Sequence, residues 1–409
     1  MLKKTFVDTS PLVESRDFQR LWLSSTLSTL ARQITVVTSL YHVWELTGSS
    51  FWVGFLGLVY AASMIVFGFL GGFWADTYNR IKILRIAAIG SVATTCVIAL
   101  QLQFSEVSLA AFFLLLATHT AFLSVALPAR RSFIAKWLEQ PKIGAGVALH
   151  HLSFQVSTLL GLLIGGVLIT AFGVSGSFLV VMVFSMLSLI LTFALQMISN
   201  TQQDAGASTR FSEKLTDGKR YVRSKGVLLG AFLSDFSSVL FVMPIALFPI
   251  VNDARFDNDP QTLGLFFSSM AFGGILAGVF SSRFSQGALG KTQLYGAISW
   301  GIALALFGLL NSLALSLVCL AIAGAADTVV AISRGTIVQL MTKDTYRGRV
   351  MNLEQIVGIA GPELGNFRAG IVASIFPVGA TLFLGGAMCV AANTILFMFA
   401  HALREFRDT

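Results

Sequence analysis

Residues 53–82 read VGFLGLVYAASMIVFGFLGGFWADTYNRIK. From Val53 to Ala75 the segment carries no charge, and then Asp76, Arg80 and Lys82 arrive within seven positions. About 20 apolar residues in a helix cross the hydrocarbon core of a bilayer. The run lacks the period-2 alternation of a strand, and in lipid such a backbone satisfies its own polar groups only as a helix. The segment therefore reads as a membrane span that ends at a charged rim.

Comparable apolar runs recur along the whole chain. They lie at 20–45, 51–75, 82–104, 107–128, 144–172 and 175–198, then at 226–251, 262–283, 291–311, 313–341, 351–375 and 379–402. Twelve spans take roughly 240 residues at about 20 each, which leaves short connections and no sizeable soluble domain in a chain of 409. Composition agrees, with 55% hydrophobic and 12% charged residues against about 25% charged in a soluble chain. A water-soluble enzyme, a disordered protein and a disulfide scaffold are excluded. The fold class expected is an all-α membrane protein of twelve transmembrane helices in two six-helix bundles.

The basic residues orient it. With the amino terminus cytoplasmic, inside segments hold 24 of the 28 Lys and Arg, once Arg255 outside and Arg32, Arg334 and Arg368 within spans are set apart. By the positive-inside rule both termini are cytoplasmic. The net charge of +8 is then an orientation signal and argues against a nucleic-acid partner. The polar start, with Asp8, Glu14 and Asp17, has no apolar core of a cleaved signal. Cys96, Cys319 and Cys389 fall inside spans and read as packing residues. The long polar stretch 199–225 separates a bundle at 1–198 from one at 226–409. From Phe211 its apolar residues, Leu215, Tyr221 and Val222, recur at helical spacing. They predict an amphipathic helix lying on the inner lipid surface.

The halves echo one another at an offset near 200, as in ARRSFI at 129–134 with SRGTIV at 333–338, which aligns Arg131 with Arg334. Gly72-Phe73-Trp74-Ala75-Asp76-Thr77-Tyr78-Asn79-Arg80-Ile81-Lys82 resembles the signature loop of the major facilitator superfamily. Asp76, Arg80 and Lys82 match it, while Thr77 stands where a basic residue is usual and Asn79 where glycine is usual. PARRSFI at 128–134 and RGRVMNLEQIVGIAGPELGNFRAG at 347–370 resemble the enterobactin-exporter-like branch, which holds siderophore exporters and drug and macrolide pumps. The glycine-proline pair usual in span five of drug antiporters is absent at Gly161-Leu162 and stands instead at Gly361-Pro362. The resemblance implies alternating access, a monomer, and a siderophore or drug as small-molecule substrate. On physical grounds the Gly-rich end before Asp76 permits close helix approach, and the carboxylate can pair with Arg80 or meet a helix amino terminus. Gly72, Asp76, Arg80, Lys82 and Arg131 are the candidate conformational gate.

Ionisable groups inside spans are costly and mark function. Three acids, Asp235, Asp327 and Glu363, and three bases, Arg32, Arg334 and Arg368, occupy such positions. At about 1.5 Å per residue Asp327, Glu363 and Arg32 lie near mid-membrane, and Asp235 about 13 Å from the cytoplasmic end of its span. A carboxyl in a low dielectric can exchange a proton, so Asp327, Glu363 and Asp235, in that order, are the candidate proton-coupling residues. The alternative is a static pair such as Asp327 with Arg334, seven positions and two turns apart on one face. Arg32, Arg334 and Arg368, if unpaired, would attract an anionic substrate. His119, in the middle of span four, reads either as a substrate contact or as a core histidine bonded to a neighbouring hydroxyl. With Asn366, Phe236 and Phe241 these form the candidate substrate-binding set. No metal-ligand spacing occurs, since His150 and His151 are adjacent, and no nucleotide loop is present, so no cofactor is expected. The reading is a proton-driven exporter of a siderophore or similar small amphiphile in the bacterial inner membrane, the alternatives being a multidrug or macrolide pump and an importer of the same fold.

Overall fold

A computed structural model describes residues 9–103, 108–139, 142–196, 211–280 and 287–407. Among them the regular elements are helical: α1 (Ser10–Glu14), α2 (Arg16–Thr47), α3 (Ser50–Thr77), α4 (Arg80–Gln101), α5 (Leu109–Trp137), α6 (Ile143–Phe193), α7 (Phe211–Ser224) and α8 (Gly226–Val242). One 3-10 turn (Ile245–Leu247) follows, then α9 (Phe248–Arg255), α10 (Pro260–Val279), α11 (Leu289–Leu309), α12 (Leu313–Met341), α13 (Asp344–Ala373), α14 (Val378–Phe399) and α15 (His401–Arg404).

Polar residues at the starts of apolar runs place the boundaries. Asn79 accepts from the backbone N–H groups of Ile81 and Lys82 at 3.0 and 3.4 Å and caps α4, the work its amide does where the resembling loop has glycine. Asp259 caps α10 through Gln261 and Thr262, both at 3.1 Å, with Pro260 at the first helical position. Within α6, Gly173 has φ +68°, a left-handed conformation that glycine adopts at no steric cost. It divides α6 into the fifth and sixth passes.

Nine stretches are long and apolar enough to cross a membrane among the described residues, and one of them, 145–193, is 49 residues long. That is about 75 Å of helix against about 30 Å of hydrocarbon, so it makes two passes. α2 and α13 complete the twelve transmembrane helices.

By contacts the chain forms two compact units, residues 1–43 with 62–205, and 44–61 with 206–409. In the first, α4 packs on α5 and α6. Ser24 of α2 is hydrogen-bonded to Ser188 and Thr192 of α6, both at 2.9 Å, the interhelical hydroxyl contacts that hold helices in lipid. In the second, α11 packs on α12 and α14, α10 on α12, and α8 on α13 and α14. Arg255, which the positive-inside reading sets apart from the other loop arginines and lysines, donates to the carbonyls of Phe307 and Leu310 at 3.1 and 2.7 Å, closing the carboxyl end of α11.

The helix read from 211 onward is α7, but its last turn does not face lipid. Tyr221 and Val222 are buried with Leu228, Leu289, Ile337, Val338, Val350 and Leu403. Tyr221 stacks on Tyr346 at 4.5 Å. Its hydroxyl donates to the Met341 carbonyl at 3.1 Å and accepts from the Lys343 N–H at 3.2 Å. Asp217 pairs with Arg349 at 3.3 Å. With its polar atom satisfied, the ring gains more by packing on α13 than by lying in an interface.

Candidate functional site

Three membrane helices of the second unit bring ionisable groups together. Arg334 of α12 forms an ion pair with Asp235 of α8, and its Nε lies 3.6 Å from Glu354 Oε1 of α13. The Asp235 side chain is 7% exposed, Arg334 12% and Glu354 20%, so the pair with Asp235 is dry and that with Glu354 nearly so. Asp327, two turns before Arg334 on α12, is half-buried. It has no hydrogen bond or ion pair among the described residues, so the static pair of Asp327 with Arg334 is not formed. Asp235 and Glu354 hold the guanidinium instead.

The charge balance follows directly. One guanidinium faces two carboxylates in contact and a third two turns away on the same helix. An unpaired charge in such surroundings costs several kcal/mol, so three ionised carboxylates are more than Arg334 can balance. Glu354 escaped the sequence reading. It lies within three positions of Met351, at the start of span eleven, where an acid reads as a rim charge. The signal available was the helical count from Asp344, ten residues and nearly three turns into α13.

The other polar positions divide. Glu363 Oε2 accepts from Asn366 Nδ2 at 3.3 Å, one turn away on α13. Asn366 Oδ1 accepts the backbone N–H of Ala246 at 3.1 Å. Arg368 donates to the Leu240 carbonyl at 3.5 Å and to the Phe241 carbonyl. These two side chains, expected to face substrate, are engaged with backbone of span seven. Phe236 is 38% exposed and Phe241 half-buried. In the first unit, Arg32 is half-buried, with Nη2 3.8 Å from Met64 Sδ and no carboxylate partner among the described residues. It is the arginine of the three whose contacts stay closest to the expectation of an available cation. His119 is buried, its Nδ1 3.3 Å from Thr94 Oγ1 and 3.5 Å from Ser91 Oγ, which is the core arrangement bonded to neighbouring hydroxyls.

At the proposed gate, Gly72 has open space around its Cβ position. The close approach belongs to Gly71, where a Cβ would stand 2.7 Å from the Val125 Cα of α5. The expectation for Gly72 is corrected to its neighbour. Arg80 Nε donates to the Ala75 carbonyl at 3.0 Å, and Lys82 is exposed. The side chains of Asp76 and Arg131 lie outside the described residues.

With this geometry in place, the likenesses to known proteins are informative. The family described as transmembrane secretion effector matches residues 8–408. The enterobactin exporter EntS of Shigella flexneri is 23% identical over 398 residues, covering 96% of this chain and 93% of that protein. EntS of Escherichia coli O139:H28 is 23% identical over 403 residues, covering 96% and 94%. Among solved structures, a bacterial homologue of the human lysosomal transporter Spinster superposes with TM-score 0.72 at 17% identity, covering 98% of this chain and 99% of that one. A nucleoside transporter NupG mutant gives 0.77 at 13% identity, covering 93% and 99%. A D-xylose-proton symporter gives 0.72 at 14% identity, covering 96% and 99%.

Proposed function

We propose, because this chain belongs to the transmembrane secretion effector family of major facilitator transporters, that it exports a siderophore or similar small amphiphile in exchange for protons. A multi-pass membrane transporter of this kind is not an enzyme. The described residues are membrane helices and their short connections, so in this reading an ion gradient supplies the energy. The membrane potential alone provides about 2.3 kcal/mol per charge per 100 mV.

The observation that carries the coupling is the shared guanidinium. Arg334 touches Asp235 and Glu354 while Asp327 waits two turns away. In this reading a proton taken up by one carboxyl frees Arg334 to rebalance toward another, so protonation and helix position are linked. Asp327 is the first candidate carrier and Asp235 with Glu354 the exchange partners. Glu363, hydrogen-bonded to Asn366, is the second carrier to test. Arg32 is the cation that recommends an anionic or zwitterionic substrate.

Enterobactin is the substrate class to try first, since EntS is named for its export. We place the protein in the inner membrane with both termini cytoplasmic, as a monomer whose halves, 1–198 and 226–409, alternate access about the 199–225 linker. Expression in a strain lacking its own enterobactin exporter should restore catecholate in the medium. In everted vesicles, adding the substrate should dissipate a preformed proton gradient. Catecholate secretion no higher than with empty vector, together with drug resistance gained, would replace the siderophore by a drug.

A further inference from the structure

We infer that Arg368 and Asn366 are positioning residues that lock the break in the seventh span to α13, by taking up the backbone groups that Pro244 leaves unpaired. The seventh span is not one helix. α8 stops at Val242, Met243 is extended with ψ +117°, and Pro244 leads into the 3-10 turn and α9. The cause is local. Proline has no N–H, its ring collides with the carbonyl four residues back, and it pushes the preceding residue out of the helical region. Four residues before Pro244 is Leu240, whose carbonyl loses its helical donor. Phe241 and Val242 lose theirs because Ile245 and Ala246 no longer follow in register.

In water such groups would be hydrated. Ala246 and Val242 are buried at 1% and 3% exposure, and at membrane depth an unpaired backbone group costs several kcal/mol. α13 supplies the missing partners. Arg368 donates to the carbonyls of Leu240 and Phe241, and Asn366 Oδ1 accepts from Ala246 N–H at 3.1 Å. The donor meets two of the three freed acceptors, and the acceptor meets one of the freed donors. Backbone proximity permits this, since a Cβ at Gly365 of α13 would collide with the Val239 carbonyl. The broken span and α13 are thus joined at the break by side chains that have no such partner on a continuous helix. α8 also carries Asp235 and α13 carries Glu354, so the lock fixes the register of both acids that share Arg334.

The test uses the full chain in detergent and hydrogen–deuterium exchange of the peptide covering 240–248, a readout that needs no transported substrate and stands apart from the exporter reading. Asn366→Leu should speed exchange of the Ala246 amide about fivefold, the effect of losing one hydrogen bond of ordinary net strength. Arg368→Met should speed the same peptide while leaving α10 and α11 unchanged, and Arg368→Lys should restore part of the protection. Pro244→Ala should make Arg368 dispensable, so Pro244→Ala/Arg368→Met returns 240–248 to slow exchange and folds even if Arg368→Met alone does not. Native-like exchange in both single variants overturns the lock. So does a double variant no better protected than Arg368→Met.

Discussion

Replacing Arg334 by Met removes the charge and keeps most of the apolar stem. Asp235, 7% exposed, would then be a carboxylate without a counter-charge, and Glu354 would keep only partial access to water. Breaking a buried pair by removing one partner costs about 3–5 kcal/mol, and we expect a loss in that range. The longer Glu354 contact, 3.6 Å and 20% exposed, contributes the smaller part, so Glu354→Gln should destabilise less than Asp235→Asn. The decisive quantity is a sign. Asp235→Asn weakens the native chain because it strips Arg334 of its main partner. In the Arg334→Met background it removes the stranded charge and should be stabilising, and the difference between its effects in the two backgrounds should reach about 1–3 kcal/mol, the coupling expected of contacting groups. A thiol-reactive dye reports the unfolding, because Cys389 is 0% and Cys319 8% exposed; a Cys96→Ser background removes the more accessible thiol. An Arg334→Met chain within about 0.5 kcal/mol of the native one, or Asp235→Asn destabilising in both backgrounds by the same amount, would refute the pairing argument.

Three further outcomes follow from the same geometry. Asp327→Asn deletes a carboxyl with no partner among the described residues, one that Arg334 cannot balance beside Asp235 and Glu354, so stability should hold or rise. Uphill efflux should fall at least about tenfold while substrate exchange without a proton gradient persists, and retained uphill transport in vesicles would end the carrier role. Gly71→Val should abolish folded protein by driving a side chain into Val125 backbone. Gly72→Val meets open space and should express normally by fluorescence size-exclusion. His119→Gln keeps a partner for Thr94 and Ser91, so transport should stay within about twofold of the native rate, while His119→Leu loses about 1 kcal/mol by stranding the Ser91 hydroxyl, Thr94 keeping its bonds to the Gly90 and Ser91 carbonyls.

What the sequence made legible was decided by periodicity and charge sign. Runs such as Val53–Ala75 can only be helical spans, and Asn79, Asp259 and Gly173 mark their ends by local chemistry that requires no partner. The candidate acids Asp235 and Asp327 were found because each sits far inside a run with no other acid beside it. Illegible were the partners. Arg334 is seven residues from Asp327, an attractive spacing on one helix, yet it turns to Asp235 and Glu354 on two other helices. No count along α12 contains that choice, because it depends on how α8, α12 and α13 pack. Gly72 and Gly71 make the same point at one residue's resolution. Both are glycine, and only the direction in which a Cβ would point decides which lies against α5.

The two less apolar spans, α2 and α13, are informative for that reason. α13 holds Glu354, Glu363, Asn366 and Arg368, and α2 holds Arg32. Each such group lowers the helix's gain from lipid, and insertion scales price a central Arg or Asp at about 2.5–3.5 kcal/mol. A helix tolerates that only where protein partners return the loss, as Asn366 and Arg368 obtain from the broken backbone of span seven. Arg32 has no such return among the described residues beyond the Met64 thioether. Under the proposed function, the anionic substrate would offset that cost while it is bound. Arg32→Gln should therefore stabilise the empty protein while weakening binding of an anionic siderophore at least about tenfold by isothermal titration. Unchanged affinity together with lower stability would instead make Arg32 a structural residue and remove the case for an anion.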